Sequence, residues 1–464
     1  VNRKVGRSNY MKVNNKKVLD TNKQKYGWFA NSDILGSYDF YTTIISLDSV
    51  ESSDLESVKS DEVHLKKVRT KKEKLRLGTY HKLRKVNPLA HHEYTHFIDS
   101  TSTLWGMRYL FEMKEAYLQN TKKYKSVETE FYKSALFYNK VRSFRLPSYY
   151  TELGTAQNKR PWRYKETSGN RFSIDGSVSD HPIFFVHFRN CNDDFLVRSP
   201  LSMISILESS AMAQELINNL NLIQCLPSDI KTVQASLYDN EIMSLVYDEK
   251  LTEYSVCCHL VSNDQKYAGV QNSLKACFLI NRVILNFPSS AFSTLSKLEN
   301  LEDILSIYSE EYIERIRNGL RYQDHGTLFF MISKLLPSNS LESTPSIISG
   351  IDTALAQLGF SLTEIKAEAK KEMDEVYKNL KALPTSLIDV IATSGKKNFQ
   401  LIDWSHVRLP FEKLELPRCC LGDLNEAIVL SKVDSPIGKL KLDDVFDELS
   451  DGNIWVEKLN EACI

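Results

Sequence analysis

The chain has 464 residues, with 59 Lys plus Arg balanced against 59 Asp plus Glu. A composition of 42% hydrophobic and 25% charged residues excludes a disordered chain and supplies core material for two or three domains. The zero balance also excludes any argument for nucleic acid or membrane from bulk charge, so charge must be read locally.

Residues 1–11 are polar and basic and lack the apolar segment of a signal peptide, which sets the expectation of a cytoplasmic protein without a membrane span. Residues 26–30 and 39–47 are rich in β-branched and aromatic side chains and predict two strands, with Gly36 and Ser37 as a break between them. Residues 48–64 are acidic and Ser-rich and predict a linker. Residues 66–85 carry ten Lys or Arg against one Glu. That block could bind phosphates, or it could be a solvated helix face over Leu65, Val68, Leu75, Leu77 and Leu83. The acidic residues at 51–62 could cancel it, and the solvated face is the preferred reading, so a nucleic-acid partner is not expected.

From Asn87 onward the pattern turns helical. Asn87 suits an N-cap with Pro88 at the first helical position, and Gly106 suits a stop. A helical stretch follows over 107–142, then a polar, loop-like stretch over 147–180, then a helix over 201–220. The most apolar run, 276–287, is broken by Asn281, Arg282 and Asn286 and falls short of the ~18 residues of a membrane span. Ser361 and Glu364 predict a capping box. An apolar stripe then runs through Leu362, Ile365, Ala369, Met373, Val376, Leu380 and Leu383, and Pro384 ends it. The eight cysteines contain no C-x-x-C and read as small, reduced residues. The fold class expected is α+β, predominantly helical. Its three regions are 1–86 with a small sheet and basic linker, a catalytic core over 87–225 with an insertion over about 107–200, and a helical 226–464.

The chemistry lies in His92-Glu93-Tyr94-Thr95-His96. Histidines four apart on a helix project from one face and can hold a Zn²⁺ ion, while Glu93 beside them can take a proton from an activated water. The flanks Leu89, Ala90, Phe97 and Ile98 are uncharged, as a half-buried helix requires. His91 points off that face. No P-loop, dinucleotide fingerprint or GxSxG elbow is present.

The stretch LAHHEYTHFIDSTSTLWG resembles the active-site helix of the zincin metallopeptidases, and the resemblance extends to the gluzincin branch, whose third ligand is a Glu on a later helix. It implies a zincin-like fold and a zinc-dependent peptidase with Glu93 as base and His92, His96 and Glu208 as ligands. Glu208 sits in an E-x-x-A pattern among Met203, Ile204, Ile206, Leu207, Ala211 and Met212, where an unpaired carboxylate would be costly; a salt-bridged Glu is the competing reading. Glu215 is an alternate ligand or an outer carboxylate. Asp99 either orients a ligand or fixes the helix end. Met212 stands where the family has an outer Asp, and the span from His96 to Glu208 is long. The resemblance further implies that residues 39–47 form the edge strand holding the substrate, and it leaves the oxyanion donor open among His181, His187, His259, His325 and several tyrosines. A protein or peptide substrate and a regulatory protein partner are expected. The alternative is a catalytically inactive zincin-like scaffold or interaction protein.

Overall fold

The computed structural model describes residues 35–118, 132–173, 176–263, 265–266 and 269–462, with side chains to Glu457. In chain order, the elements begin with β1 (Ser37–Tyr38), β2 (Ile45–Leu47), α1 (Ser52–Ser60), α2 (Glu62–Arg69), α3 (Leu77–Thr101), α4 (Leu104–Tyr117) and α5 (Tyr132–Phe144). They continue with β3 (Glu152–Leu153), β4 (Arg163–Phe172), β5 (Val178–Arg189), β6 (Phe195–Leu201), α6 (Met203–Gln224), α7 (Ser228–Val246), α8 (Thr252–Ser262) and α9 (Val270–Ile284). Then come α10 (Ser289–Ser296), α11 (Leu301–Leu305), α12 (Glu310–Arg321), α13 (His325–Leu335), α14 (Thr344–Gln357), α15 (Leu362–Ala382) and α16 (Ile388–Leu401). The last are β7 (Cys419–Leu421), β8 (Glu426–Ala427), α17 (Pro436–Lys439) and α18 (Leu442–Ala462). The protein is predominantly helical with two small sheets.

The first sheet has the order β1-β2-β7-β8. Residues 39–47 do not form one strand: the segment turns through Phe40 to Thr42 with Thr43 at φ 57°, so Ser37↔Ser46 pair antiparallel across a hairpin. Asp39 holds that turn, accepting from Tyr41 N at 3.0 Å and Thr42 Oγ1 at 2.6 Å. β2 then pairs in parallel with β7, Ile45 with Cys419, so the C-terminal region completes the N-terminal sheet. The strand expected at 26–30 lies outside the described residues.

Three further expectations need correction. The acidic stretch is helical, not a linker: α1 is closed by a capping box in which Glu51 and Asp54 each receive the other's backbone N–H. Pro88 does not open a helix but lies inside the 25-residue α3, so the expected boundary at 86/87 also falls within that helix. Gly106 is not a stop either. α3 ends at Thr101, and Gly106 lies in α4, where a Cβ would meet the Ser100 carbonyl carbon at 2.5 Å. It is there so that α4 can start hard against the end of α3.

The polar stretch 147–180 is also no loop. It supplies β3, β4 and the start of β5 in a second antiparallel sheet, ordered β3-β6-β5-β4 and packed on α8, α12 and α13. Asp324 fastens this sheet: its carboxylate accepts from Arg171 at 2.8 Å on β4, meets His181 at 3.1 Å on β5, and caps α13 through Thr327 N at 2.7 Å. Burial alone would raise this carboxyl, but His181 and Arg171 outweigh it and hold the group well below the usual carboxylate range.

The expectations at 201–220 and at Ser361 agree with the structure. Ser361 and Glu364 form the capping box of α15, and Ile365, Ala369, Met373 and Leu380 are its buried face. One hydrophobic core runs through all three expected regions, from Tyr38 to Val456. At its centre are α3 and α6, packed along each other, with α9 against α6. The seven described cysteines are free of disulfides. Among the described residues no helix is long and apolar enough to cross a membrane.

The polar interruptions of the 276–287 run are the bolts of this core. Asn281 donates to Ile206 O at 2.8 Å and Ser209 Oγ at 3.0 Å, gripping α6. Arg282 forms a buried ion pair with Asp99 on α3. Asn286 accepts from Leu104 N at 2.9 Å at the start of α4.

Removing one member of a buried pair leaves an uncompensated charge. Arg282→Met is therefore expected to cost about 3–5 kcal/mol in urea unfolding, and Asp99→Leu/Arg282→Met to recover most of it; a single-variant loss under about 1 kcal/mol would show the pair to be dispensable. For Asp324 the sign follows from its lowered pKa: its contribution is full above the ordinary value of about 3.9 and is lost as pH falls below it. Asp324→Asn should cost about 2–3 kcal/mol at pH 7, and the gap to the parent should close on acidification. A gap that widens towards acid would contradict the assignment.

Candidate metal centre

Helix α3 presents His92 and His96 one turn apart, and α6 presents Glu208 opposite them. His92 Nε2 lies 3.3 Å and His96 Nε2 3.5 Å from the same oxygen, Glu208 Oε2. Neither approach has hydrogen-bond geometry, and Glu208 Oε2 is buried without a hydrogen-bond partner. The three donors lie within 4.8 Å of one another and form a group able to hold a metal ion. Ligands about 2.0–2.2 Å from a tetrahedral ion stand about 3.3–3.6 Å apart, so these two spacings suit donors around a shared ion as well as an ion pair. Two imidazoles and one carboxylate are a donor set able to hold a metal ion.

Local structure explains the placement. Ser202 caps α6, accepting from Ser205 N, with Ser205 reaching back to Ser202 N. Glu208 follows in the second turn, at the level where Asn281 grips Ile206 and Ser209. On the facing helix, Ser100 Oγ bonds Tyr38 Oη at 2.6 Å, and the Tyr38 ring stacks on His96 with centroids 6.2 Å apart. Phe40 meets His96 edge-on at 6.3 Å and continues to Phe144 at 5.5 Å.

The surrounding carboxylates have separate duties. Glu215 Oε2 lies 3.1 Å from His92 Nδ1, which makes that nitrogen an N–H donor and leaves Nε2 as the nitrogen turned toward Glu208. His96 Nδ1 is buried with no such partner among the described residues. Asp99 pairs with Arg282 at the base of the site. Glu93 is buried beside His92, and a Cβ on Gly36 would come within 3.1 Å of Glu93 Oε1. The absent side chain lets the start of β1 lie directly on the Glu93 carboxylate. β1 is the sheet's edge and β2 is interior, so the edge expected at 39–47 is instead at 37–38.

Burial works against an imidazolium at His92, but Glu208 and Glu215 outweigh it and raise its pKa well above the ordinary value. Burial dominates at His96 and lowers it. Burial would likewise raise Glu208, yet the two histidines reverse this and hold it far below the carboxylate range. His91, off the ligand face, bonds Asn87 O at 2.7 Å and Asn218 at 3.2 Å, and burial pushes it down to about 4.

Sequence reasoning missed Arg145 and Glu253. Arg145 Nε lies 3.2 Å from Glu253 Oε2, and its charge is felt at His96. Burial, opposed by Arg145 and reinforced by Glu208, pushes the Glu253 carboxyl up to about 7. Neither residue has a motif to announce it. The histidines held open as oxyanion donors meet other groups: His181 meets Asp324, His187 meets Thr167, His259 meets Val246 O, and His325 lies under Trp105.

No protein-family profile, no curated protein and no solved structure matches this chain. The site therefore stands on its own geometry.

Removing the partner of a ligand's second nitrogen weakens metal binding without removing a ligand. Glu215→Ala should lower zinc affinity about 10–100-fold in a chelator competition while leaving one binding site. Unchanged affinity would detach Glu215 from the centre.

Proposed function

We propose that the chain is a zinc-dependent peptidase of zincin type, with His92, His96 and Glu208 as the protein ligands and Glu93 as the general base. The observation that carries this reading is the convergence of two imidazole Nε2 atoms on one buried carboxylate oxygen at 3.3 and 3.5 Å. Bound zinc would polarise a scissile carbonyl and lower the pKa of a coordinated water to about 7.

The remaining roles belong to side chains. Glu93 takes the proton of the attacking water and hands it to the departing amine. Its position under Gly36 sets it between the ligand face and the outer edge of β1. Ser37 and Tyr38 on that edge offer backbone groups to an extended peptide. Glu215 orients His92, and Arg145 is the cation held beside the cluster to meet negative charge developing on the substrate. A metal held at His92 would take the place of the proton that Glu208 and Glu215 favour there, so its uptake would release protons. The proposed setting is cytoplasmic, in keeping with seven free thiols. The proposed substrate is a protein or peptide, with a regulatory protein as a further partner.

A second reading, an inactive zincin-like scaffold, draws on the enclosure of the ligands: the His92, His96 and Glu208 side chains are only 13%, 5% and 9% exposed.

Untagged protein should carry close to one equivalent of zinc; less than a tenth would remove the metal reading. Glu93→Gln should keep the zinc and lower peptide hydrolysis by at least about a hundredfold. Full zinc with no hydrolysis in the parent would favour the scaffold.

A further inference from the structure

The basic block at 66–85 plays no part in the proposed site. Five of its ten cations are cancelled internally. Lys66 pairs with Glu62 at 3.2 Å, Lys67 with Glu73 at 2.8 Å, Lys82 with Asp61 at 3.0 Å, Lys85 with Asp54 at 2.7 Å, and Arg84 with Glu241. The acidic α1–α2 segment thus supplies three of the five counter-charges.

The other five, Arg69, Lys71, Lys72, Lys74 and Arg76, fall together in the turn from α2 to α3. All are exposed, and none has an ion-pair partner among the described residues. The one carboxylate in the turn, Glu73, is already engaged by Lys67 and by His64 at 3.0 Å. In a chain whose charges balance overall, these eight residues hold five cations against one carboxylate, a local excess of four.

The turn is also fixed in shape. Leu75 is buried, and its N–H bonds Cys225 O at 2.8 Å, tying the turn to the end of α6. Arg76 N donates to His64 Nε2 at 3.2 Å, and Lys72 N to Lys67 O at 2.9 Å. Lys71 takes a left-handed φ of 58° at the bend. Holding like charges together on a pinned backbone costs self-repulsion, which a polyanion relieves by giving up its own counterions.

We propose that this turn is a docking surface for the phosphate backbone of a nucleic acid. A membrane is the weaker partner because the turn's only apolar residue, Leu75, is buried and adds no insertion to the electrostatic attraction of an anionic surface. The contacts are to phosphate, so binding is independent of base sequence. The turn leads into α3, the helix that carries His92. Fifteen residues of helix put the ligand cluster about 22 Å from the docked strand. The inference stands whether or not the metal centre is catalytic.

The test is fluorescence anisotropy of the full chain with a labelled 20-base-pair duplex across a salt series. Binding should weaken linearly in log–log form, with a slope between about −3 and −4.5 for up to five phosphate contacts. The triple variant Lys71→Gln/Lys72→Gln/Lys74→Gln should weaken binding at least about tenfold and reduce the slope by about 3. The control Lys370→Gln/Lys371→Gln/Lys378→Gln removes the same charge from exposed positions on α15 and should change neither. A salt-independent Kd, or an equal loss in the control, overturns the proposal. So does tighter binding to vesicles of 30% phosphatidylserine than to the duplex, which would make the partner a lipid surface.

Discussion

Two adjacent residues of α9 brace the helices whose spacing brings His92, His96 and Glu208 together. Asn281 holds the backbone of α6 beside Glu208, and Arg282 holds the carboxylate of Asp99 one turn beyond His96. One helix thus grips both ligand helices from behind, through polar contacts that a sliding apolar interface could not provide. The cost is a guanidinium and a carboxylate with 1% and 0% exposure. Such a pair adds little net stability compared with a well-packed apolar substitute, but it disfavours every other register of α3 against α6. A metal site needs that selection, since donors displaced by half an ångström no longer share an ion.

Much of the candidate site was legible in the sequence. The i, i+4 histidines, the neighbouring Glu93, the apolar surroundings of Glu208 and the position of His91 off the ligand face all follow from helical periodicity. The clamp residues were visible only as interruptions: Asn281, Arg282 and Asn286 break an apolar run, and their meaning appears only with the partners they bond. Tyr38, Arg145 and Glu253 reach the site through tertiary packing, which no local spacing encodes.

The fold was read less evenly, for physical reasons. Pro88 reads as a helix start because its ring removes a hydrogen bond from a helix interior, a penalty of about 3 kcal/mol. Here the buried residues on both sides, from Tyr80 and Leu83 to Phe97 and Ile98, supply enough packing to carry α3 through it. The second sheet was hidden because β4 reads RYKETSGNRF, with no apolar alternation, and is held by pairing to β5 and by Arg171 and Arg315. Residues 39–47 read as one strand because Phe40, Tyr41 and Thr42 favour strands, while the Asp39 side chain and the left-handed Thr43 bend them into a turn.

The parallel pairing of β2 with β7 has a consequence for how the molecule is made. Ile45 is translated 374 residues ahead of its neighbour Cys419 (419 − 45). Until then β2 has an open flank, and Tyr94, whose hydroxyl bonds Pro417 O at 2.9 Å, lacks its anchor beside Glu93. Closure over so long a separation is slow. The order of translation thus lets α3 and α6 meet before the strand that completes the sheet beside them exists.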